Sequence, residues 1–169
     1  TYNSALGGSE ADGITVGGYA AYTGDTGLRM NAYVGAGQRD VTSMRVDALT
    51  SGTLLGETEA DEFIIGAEVS KLYPAGSFFI EPSVGVDYAS FVVDGYSETG
   101  GASALTYDDI KASTTQAHAG AQLHFFNPES ATGLRPSIGA DFVFDLSNDP
   151  TAVTSYFNGA SASTFQTVG

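Results

Sequence analysis

The segment Leu134–Leu146 reads LRPSIGADFVFDL, and it alternates apolar and polar residues in strict period two. Its even-numbered positions are apolar: Leu134, Pro136, Ile138, Ala140, Phe142, Phe144 and Leu146. Its odd-numbered positions are polar or glycine apart from Val143. Because a β-strand points successive side chains to opposite faces, this segment predicts a strand with one apolar face. A strand of about 9–11 such residues spans a membrane in a β-barrel.

Five further segments carry the same alternation and predict five further strands. They lie near Ile14–Tyr22, Leu28–Asp40, Glu62–Ser70, Phe78–Val92 and Gln116–Phe125. The connections are predicted to be tight turns at Gly24–Gly27 and Pro74–Gly76, a medium turn at Asn127–Gly133, and long links at Val41–Glu59 and Gly95–Lys111. We expect a loop at Asn3–Asp12, and Val153–Phe157 is a candidate for one more short strand.

Composition narrows the classes of function. The chain has 169 residues, enough for one domain, and a net charge of −14 with only six lysines and arginines. A basic surface for nucleic acid is therefore not expected. The absence of cysteine excludes disulfides and thiolate metal sites. No apolar run approaches the roughly 18 residues that a transmembrane helix needs.

Alternation alone also fits a water-soluble β-sandwich, whose apolar faces turn inward. Three features favour a membrane barrel: a glycine on the polar face of every strand, very few lysines, and connections that alternate short and long. We therefore predict an all-β, antiparallel up-and-down transmembrane β-barrel of about six to eight strands. The residues expected to face lipid are Ile14, Val16, Met30, Val34, Ile65, Val84, Val86, Leu123, Ile138 and Phe142.

The opposite, polar face carries the candidate site residues. We expect these to face the lumen: Arg29, Arg39, Glu62, Glu68, Glu81, Asp87, Gln116, His118, Gln122, His124, Arg135, Asp141 and Asp145. They either hydrate a pore and grip a threaded segment, or form internal salt bridges that fill a barrel; internal pairing is the simpler interpretation. The long links are expected to be extracellular and the shorter turns periplasmic.

No catalytic, metal or cofactor site is predicted, and the chain is not expected to be an enzyme. His118 and His124 share a face but lie about 20 Å apart along one strand, too far to share a metal ion. No Gly-x-Ser-x-Gly elbow is present. The acidic runs at Glu57–Glu62 and Asp108–Asp109 lack EF-hand spacing and predict a solvated acidic rim.

Two stretches carry a family resemblance. Phe79–Tyr88 reads FIEPSVGVDY, and Asp94–Gly100 reads DGYSETG, with Leu105 shortly after it. With Gly18–Tyr22, the spacing Tyr33-x-Gly35-x-Gly37 and Arg45 upstream, the chain resembles the autotransporter β-domain of type V secretion. The motif residues are Glu81, Pro82, Tyr88, Tyr96 and Glu98, the last two being expected to have a structural role at the base of a loop.

The resemblance implies a barrel in the outer membrane of a Gram-negative bacterium that carries an N-terminal passenger to the cell surface. Its implied partners are outer-membrane lipid and lipopolysaccharide, the barrel-assembly machinery, and its own passenger or linker segment in the pore. The alternatives are a passenger-free porin-like or structural barrel, or a soluble surface β-sandwich adhesin. Since the family barrel is longer and closes on a terminal aromatic strand, residues 1–169 are predicted to be one domain that does not close a barrel alone.

Overall fold

The structure is a computed structural model, and it describes residues 2–4, 7–47, 49–126, 134–147 and 151–168. Those residues form strands, turns and irregular segments without a helix. In chain order the strands are β1 Tyr2–Ser4, β2 Gly7–Thr23, β3 Leu28–Val46, β4 Thr53–Lys71, β5 Tyr73–Ala75, β6 Phe78–Val93, β7 Tyr96–Ser97, β8 Leu105–Tyr107, β9 Ile110–His124, β10 Ser137–Asp145, β11 Ala152–Phe157 and β12 Phe165–Val168. Within the described ranges, no helix is long and apolar enough to cross a membrane.

The main sheet is an antiparallel meander. Its strands follow the order β1-β2-β3-β4-β6-β9-β10, and the short β5 pairs with β6. All six predicted strands are present as neighbours, which confirms the all-β, up-and-down prediction. In the part of the chain that the structure describes, β2 and β10 do not pair with each other, so this sheet is open.

The strand register keeps one side-chain class on each face. One row across the sheet runs Tyr33, Gly66, Asp87, Gln116 and Asp145, each directly opposite the next. The other face is apolar and exposed. Of the ten residues predicted to face lipid, nine are exposed and Leu123 is partly buried.

That exposure decides between the barrel and the sandwich. In a sandwich the apolar face would form the core between two sheets. Ile14, for example, is 72% exposed, and Phe142 is 70% exposed. The exposed apolar face runs along the whole main sheet as far as the chain is described, and the sandwich alternative is therefore wrong for this sheet.

Several predicted boundaries are wrong. In the predicted turn Pro74–Gly76, Pro74 and Ala75 belong to β5. Gly7–Asp12 belongs to β2 rather than to a loop. The predicted link Val41–Glu59 is mostly strand, since β3 and β4 pair from Val46↔Thr53 downward and only residues 47–52 connect them. At these positions the strands carry polar residues on both faces, so period-two alternation does not mark them. At Leu134–Pro136 the sequence predicts a strand, but these residues lie outside β10, which begins at Ser137.

The predicted link Gly95–Lys111 is not a plain loop either, because it contributes two strands to a second sheet. This small sheet has the order β12-β11-β8-β7. It uses the predicted short strand Val153–Phe157, found as β11, which pairs with β8 and not with the main sheet. A bridge between Leu55 and Thr99 ties the small sheet to β4. The predicted turn Asn127–Gly133 lies outside the described residues.

Candidate functional site

The most buried group on the polar face surrounds Glu81 of β6. Arg29 of β3 donates to both carboxylate oxygens, at 3.0 and 2.9 Å. Ser70 of β4 donates from its hydroxyl at 2.8 Å, and the Nε2 atom of His124 lies 2.8 Å from the carboxylate. The Glu81 side chain is only 10% exposed. These four residues, which we call the Glu81 cluster, compensate a carboxylate that is largely removed from water.

The Glu81 cluster borders a polar cavity of about 270 Å³. Its walls also include Asn31, Glu68, Gln122 and Asp141. On the far side, the Nδ1 atom of His124 is buried and has no hydrogen-bond partner among the described residues. The His124 ring meets Phe126 edge-on, with 5.8 Å between ring centroids.

His118 of β9 occupies a second position on the polar face, between two carboxylates. Its Nε2 atom lies 3.5 Å from Asp87, and its Nδ1 atom lies 3.9 Å from Glu68. The hydroxyl of Tyr33 donates to Asp87 at 2.7 Å. A Cβ atom at Gly85 would lie 2.2 Å from the His118 ring. Gly85, one of the glycines predicted to lie on the polar face, thus makes room for a large polar side chain of the neighbouring strand.

Arg39 and Glu62 form a third group nearer the loops. The guanidinium of Arg39 donates to both oxygens of Glu62 at 3.0 and 2.9 Å, and Thr15 donates to the same carboxylate at 2.5 Å. Beyond them, the amide of Gln116 donates to Asp145 at 2.7 Å. This end is wetter than the Glu81 cluster, since the Arg39 side chain is 41% exposed.

The structure thus brings together most of the predicted polar-face residues. Asp141 and Gln122 line the polar cavity, and Gln122 lies directly opposite Glu81 in the strand register. Arg135 lies over the ring of Phe126 at 5.9 Å. The two histidines contact different carboxylates. Sequence reasoning missed Thr15, Tyr33 and Ser70, although their strand parity already placed them on this face. No group of three or more metal-binding side chains that suits an ion occurs in the described ranges.

A separate ion pair joins the small sheet to the main sheet. Arg45, near the end of β3, donates to both oxygens of Glu98 at 2.7 and 2.6 Å and to the backbone oxygen of Ser103 at 2.6 Å. Glu98 also accepts from the backbone N–H of Leu105 at 2.9 Å, and its side chain is 2% exposed. Glu98 therefore contacts both β3 and the backbone of the loop, and its structural role there stays a prediction.

Tyr96, the other motif residue at this end, packs where the two sheets meet. Its ring stacks on Tyr107 with 4.8 Å between centroids. A Cβ atom at Gly56 would lie 2.4 Å from the Tyr96 ring, so glycine is needed there for the sheets to approach. Burial raises the pKa of both tyrosines above the ordinary value, and they are neutral at physiological pH.

Asp47 lies at the same junction, directly after β3, and contacts residues from both sides of it. Its carboxylate is fully buried and accepts from the Ser103 hydroxyl at 2.5 Å, the Thr50 hydroxyl at 2.7 Å and the Leu49 backbone N–H at 2.9 Å. The hydrogen bond from Ser103, followed by those from Leu49 and Thr50, holds the pKa of Asp47 well below its usual range.

The lowered pKa of Asp47 predicts acid sensitivity at the junction of the two sheets. A carboxyl group whose folded-state pKa is depressed stabilises the fold above its unfolded pKa, about 3.9, and loses that contribution as pH falls toward the folded value. We expect the amide NMR signals of Leu49 and Thr50 to stay constant down to about pH 4 and to shift only well below it, as Asp47 becomes protonated in the folded protein. Asp47→Asn should abolish this titration; an unchanged titration in that variant would assign the effect to another group.

The comparison with known families agrees with the geometry. A family model described as the autotransporter beta-domain matches residues 1–169, the entire chain. No curated protein matches the chain.

Proposed function

The chain belongs to the autotransporter β-domain family, and we propose that its polar face lines the pore of the barrel and holds a segment threaded through it. Domains of this family are β-barrels in the outer membrane of Gram-negative bacteria, and they carry a passenger across that membrane to the cell surface. The activity of the chain is accordingly transport. The absence of a nucleophile elbow supports the narrower proposal that the domain catalyses no reaction and needs no cofactor.

One observation supports the proposal most strongly: the polar face has more carboxylates than cations to pair with them. Glu62 and Glu81 are paired with arginines. Within the described residues, Glu68, Asp141 and Asp145 have no arginine or lysine partner. A confined face with surplus negative charge attracts positive charge, because nearby low-dielectric walls focus its field. We therefore propose that the threaded segment presents lysine or arginine to these carboxylates.

The positions of the small sheet and of the short turns suggest an orientation in the membrane and the partners at each end. We propose that the end carrying the small sheet is extracellular and that the turn Gly24–Gly27 faces the periplasm, because barrels of this kind have short periplasmic turns. Contact with lipopolysaccharide at the extracellular end and folding by the barrel-assembly machinery belong to this proposal. In the described residues, β10 pairs only with β9, and on the side away from β3, β2 pairs only with the three residues of β1. We propose that further strands cover these edges in the barrel, since unpaired backbone groups are costly in hydrocarbon.

The test of the proposed function is passenger display by the full-length polypeptide. We expect Asp141→Asn combined with Asp145→Asn to reduce surface display severalfold, while the amount of folded barrel in the outer membrane stays constant. Glu57→Gln with Asp61→Asn is the matched control, because it removes two exposed carboxylates of β4 that lie on the face opposite to the polar face. Normal display in the Asp141 and Asp145 variant would contradict a role for these carboxylates in holding the threaded segment.

The assignment of faces has its own test in two neighbouring residues of β4. Ile65 lies on the exposed apolar face, and Ile64 lies on the polar face opposite Gly35. Ile65→Arg is expected to lower the free energy of unfolding by about 2–4 kcal/mol, because it places a cation in the hydrocarbon region. In Ile64→Arg the new side chain points into the lumen, so this variant should lower the free energy of unfolding by clearly less. Urea unfolding in lipid vesicles measures both, and equal losses would refute the assignment.

A further inference from the structure

A cleft outside the polar face lies at the end that carries the small sheet. It has a volume of about 840 Å³ and opens to solvent between the small sheet and the start of β9. Tyr96, Tyr107, Tyr156, Asp108, Asp109 and Lys111 are among its lining residues. The volume falls within the range of about 300–1,000 Å³ that is common for small-molecule sites.

The lining chemistry narrows the class of ligand. The large side chains of the cleft are tyrosines, and Ser97 and Thr106 add hydroxyl groups. Two aspartates against one lysine disfavour a phosphate or another anion, and the many polar groups disfavour an acyl chain. A sugar ring has an apolar C–H face that packs on an aromatic ring, and its hydroxyls donate to carboxylates.

Several groups in the cleft are held in place, and one is available to a ligand. The hydroxyls of Ser97 and Thr106 lie 2.8 Å apart, and Asp109 accepts from the Gly95 backbone N–H at 3.0 Å. The backbone N–H of Asp108 donates to Thr154 at 3.1 Å, which fixes this residue against β11. Its carboxylate is exposed and makes no hydrogen bond within the described residues.

The strands behind the cleft are held by several contacts. Tyr96 and Tyr107 stack on each other, and the Arg45–Glu98 pair and the Asp47–Ser103 hydrogen bond anchor the same strands from behind. A site that is ordered before the ligand arrives loses less conformational entropy on binding. From its shape, lining and support, we propose that this cleft binds a neutral oligosaccharide at the cell surface.

The test is a binding titration on the purified full-length protein in detergent. The probes are maltohexaose, cellohexaose, chitohexaose and the O-polysaccharide released from the lipopolysaccharide of the bacterium that naturally makes this protein. Saturation-transfer NMR measures the binding of each probe. We expect at least one probe to bind. Binding of the strain's own polysaccharide alone would identify the ligand as a neighbour in the same membrane, whereas binding of a hexasaccharide would identify a glycan from outside the cell. Binding by none of the four would overturn the proposal.

Variants connect any binding to the cleft. Tyr156→Ala is expected to weaken binding about tenfold, and Tyr156→Phe should retain most of the affinity because the ring is kept. Asp108→Asn should weaken binding, and Glu57→Gln, an exposed carboxylate outside the cleft, should not. Equal affinities for Tyr156→Ala and the unmodified protein would overturn the assignment. Because this site lies apart from the pore, loss of sugar binding and loss of passenger display are separate outcomes.

Discussion

Replacement of Glu98 by alanine is expected to release the small sheet from the main sheet. The Glu98 carboxylate is 2% exposed and accepts from Arg45 twice and from the Leu105 N–H. Removing one partner of a buried ion pair typically costs about 3–5 kcal/mol, because the other charge is left uncompensated. Hydrogen exchange should therefore rise sharply at Leu105–Tyr107, whereas the amides of the main sheet keep their protection.

The control for this prediction is the ion pair between Lys111 and Asp109. These atoms are 3.7 Å apart, and the side chains are 70% and 56% exposed. Because exposed pairs contribute about 1 kcal/mol or less, Lys111→Ala should leave exchange at Leu105–Tyr107 nearly unchanged. Equal protection in the Glu98→Ala and Lys111→Ala variants would show that the Arg45–Glu98 pair does not hold the small sheet in place.

The sequence was sufficient to predict the faces of the main sheet. Alternation with period two assigns each residue to a face without any knowledge of strand pairing, and antiparallel pairing preserves that assignment from strand to strand. Val34, Ile65 and Tyr88, for instance, lie side by side on the exposed face. The polar-face residues followed from the same parity.

Alternation could not predict where strands continue beyond the apolar band. From Thr42 to Arg45 and from Leu54 to Thr58 the side chains show no consistent apolar face, yet both stretches belong to β3 and β4. Their backbone hydrogen bonds extend an existing ladder, and that requires no alternating pattern. Because β3 and β4 extend through most of the predicted link Val41–Glu59, the connection between them is short. The length of this connection is therefore weaker evidence for which end of the sheet is extracellular.

The contacts at the candidate site depend on the shift between strands, which sequence alone does not specify. Glu81 contacts Arg29 although β4 lies between their strands, and Asp47, just after β3, contacts Ser103 in the segment between β7 and β8. Such pairs combine residues that are 52 and 56 positions apart in the chain. Parity predicts that Glu81 and Arg29 share a face, but it does not predict which carboxylate binds which arginine.

That specific pairing underlies the second large prediction. Arg29→Met removes the only guanidinium bound to Glu81 among the described residues and leaves the carboxylate with Ser70 and His124. Because the Glu81 side chain is 10% exposed, we expect a loss of about 3 kcal/mol in the free energy of unfolding. Urea titration of the protein in lipid vesicles, read by the electrophoretic shift between folded and unfolded barrel, measures this loss.

Arg39→Met is the matched comparison, because the same substitution breaks a bidentate pair on the same face in a wetter setting. The side chains of Arg39 and Glu62 are 41% and 25% exposed, and Thr15 continues to donate to Glu62 in the variant. Water can therefore replace much of what Arg39 supplies, and a loss of about 1 kcal/mol or less is expected. If the two variants lose equal stability, burial of Glu81 does not govern the strength of its pair, and the Glu81 cluster is no more than one of several solvated contacts along the pore wall.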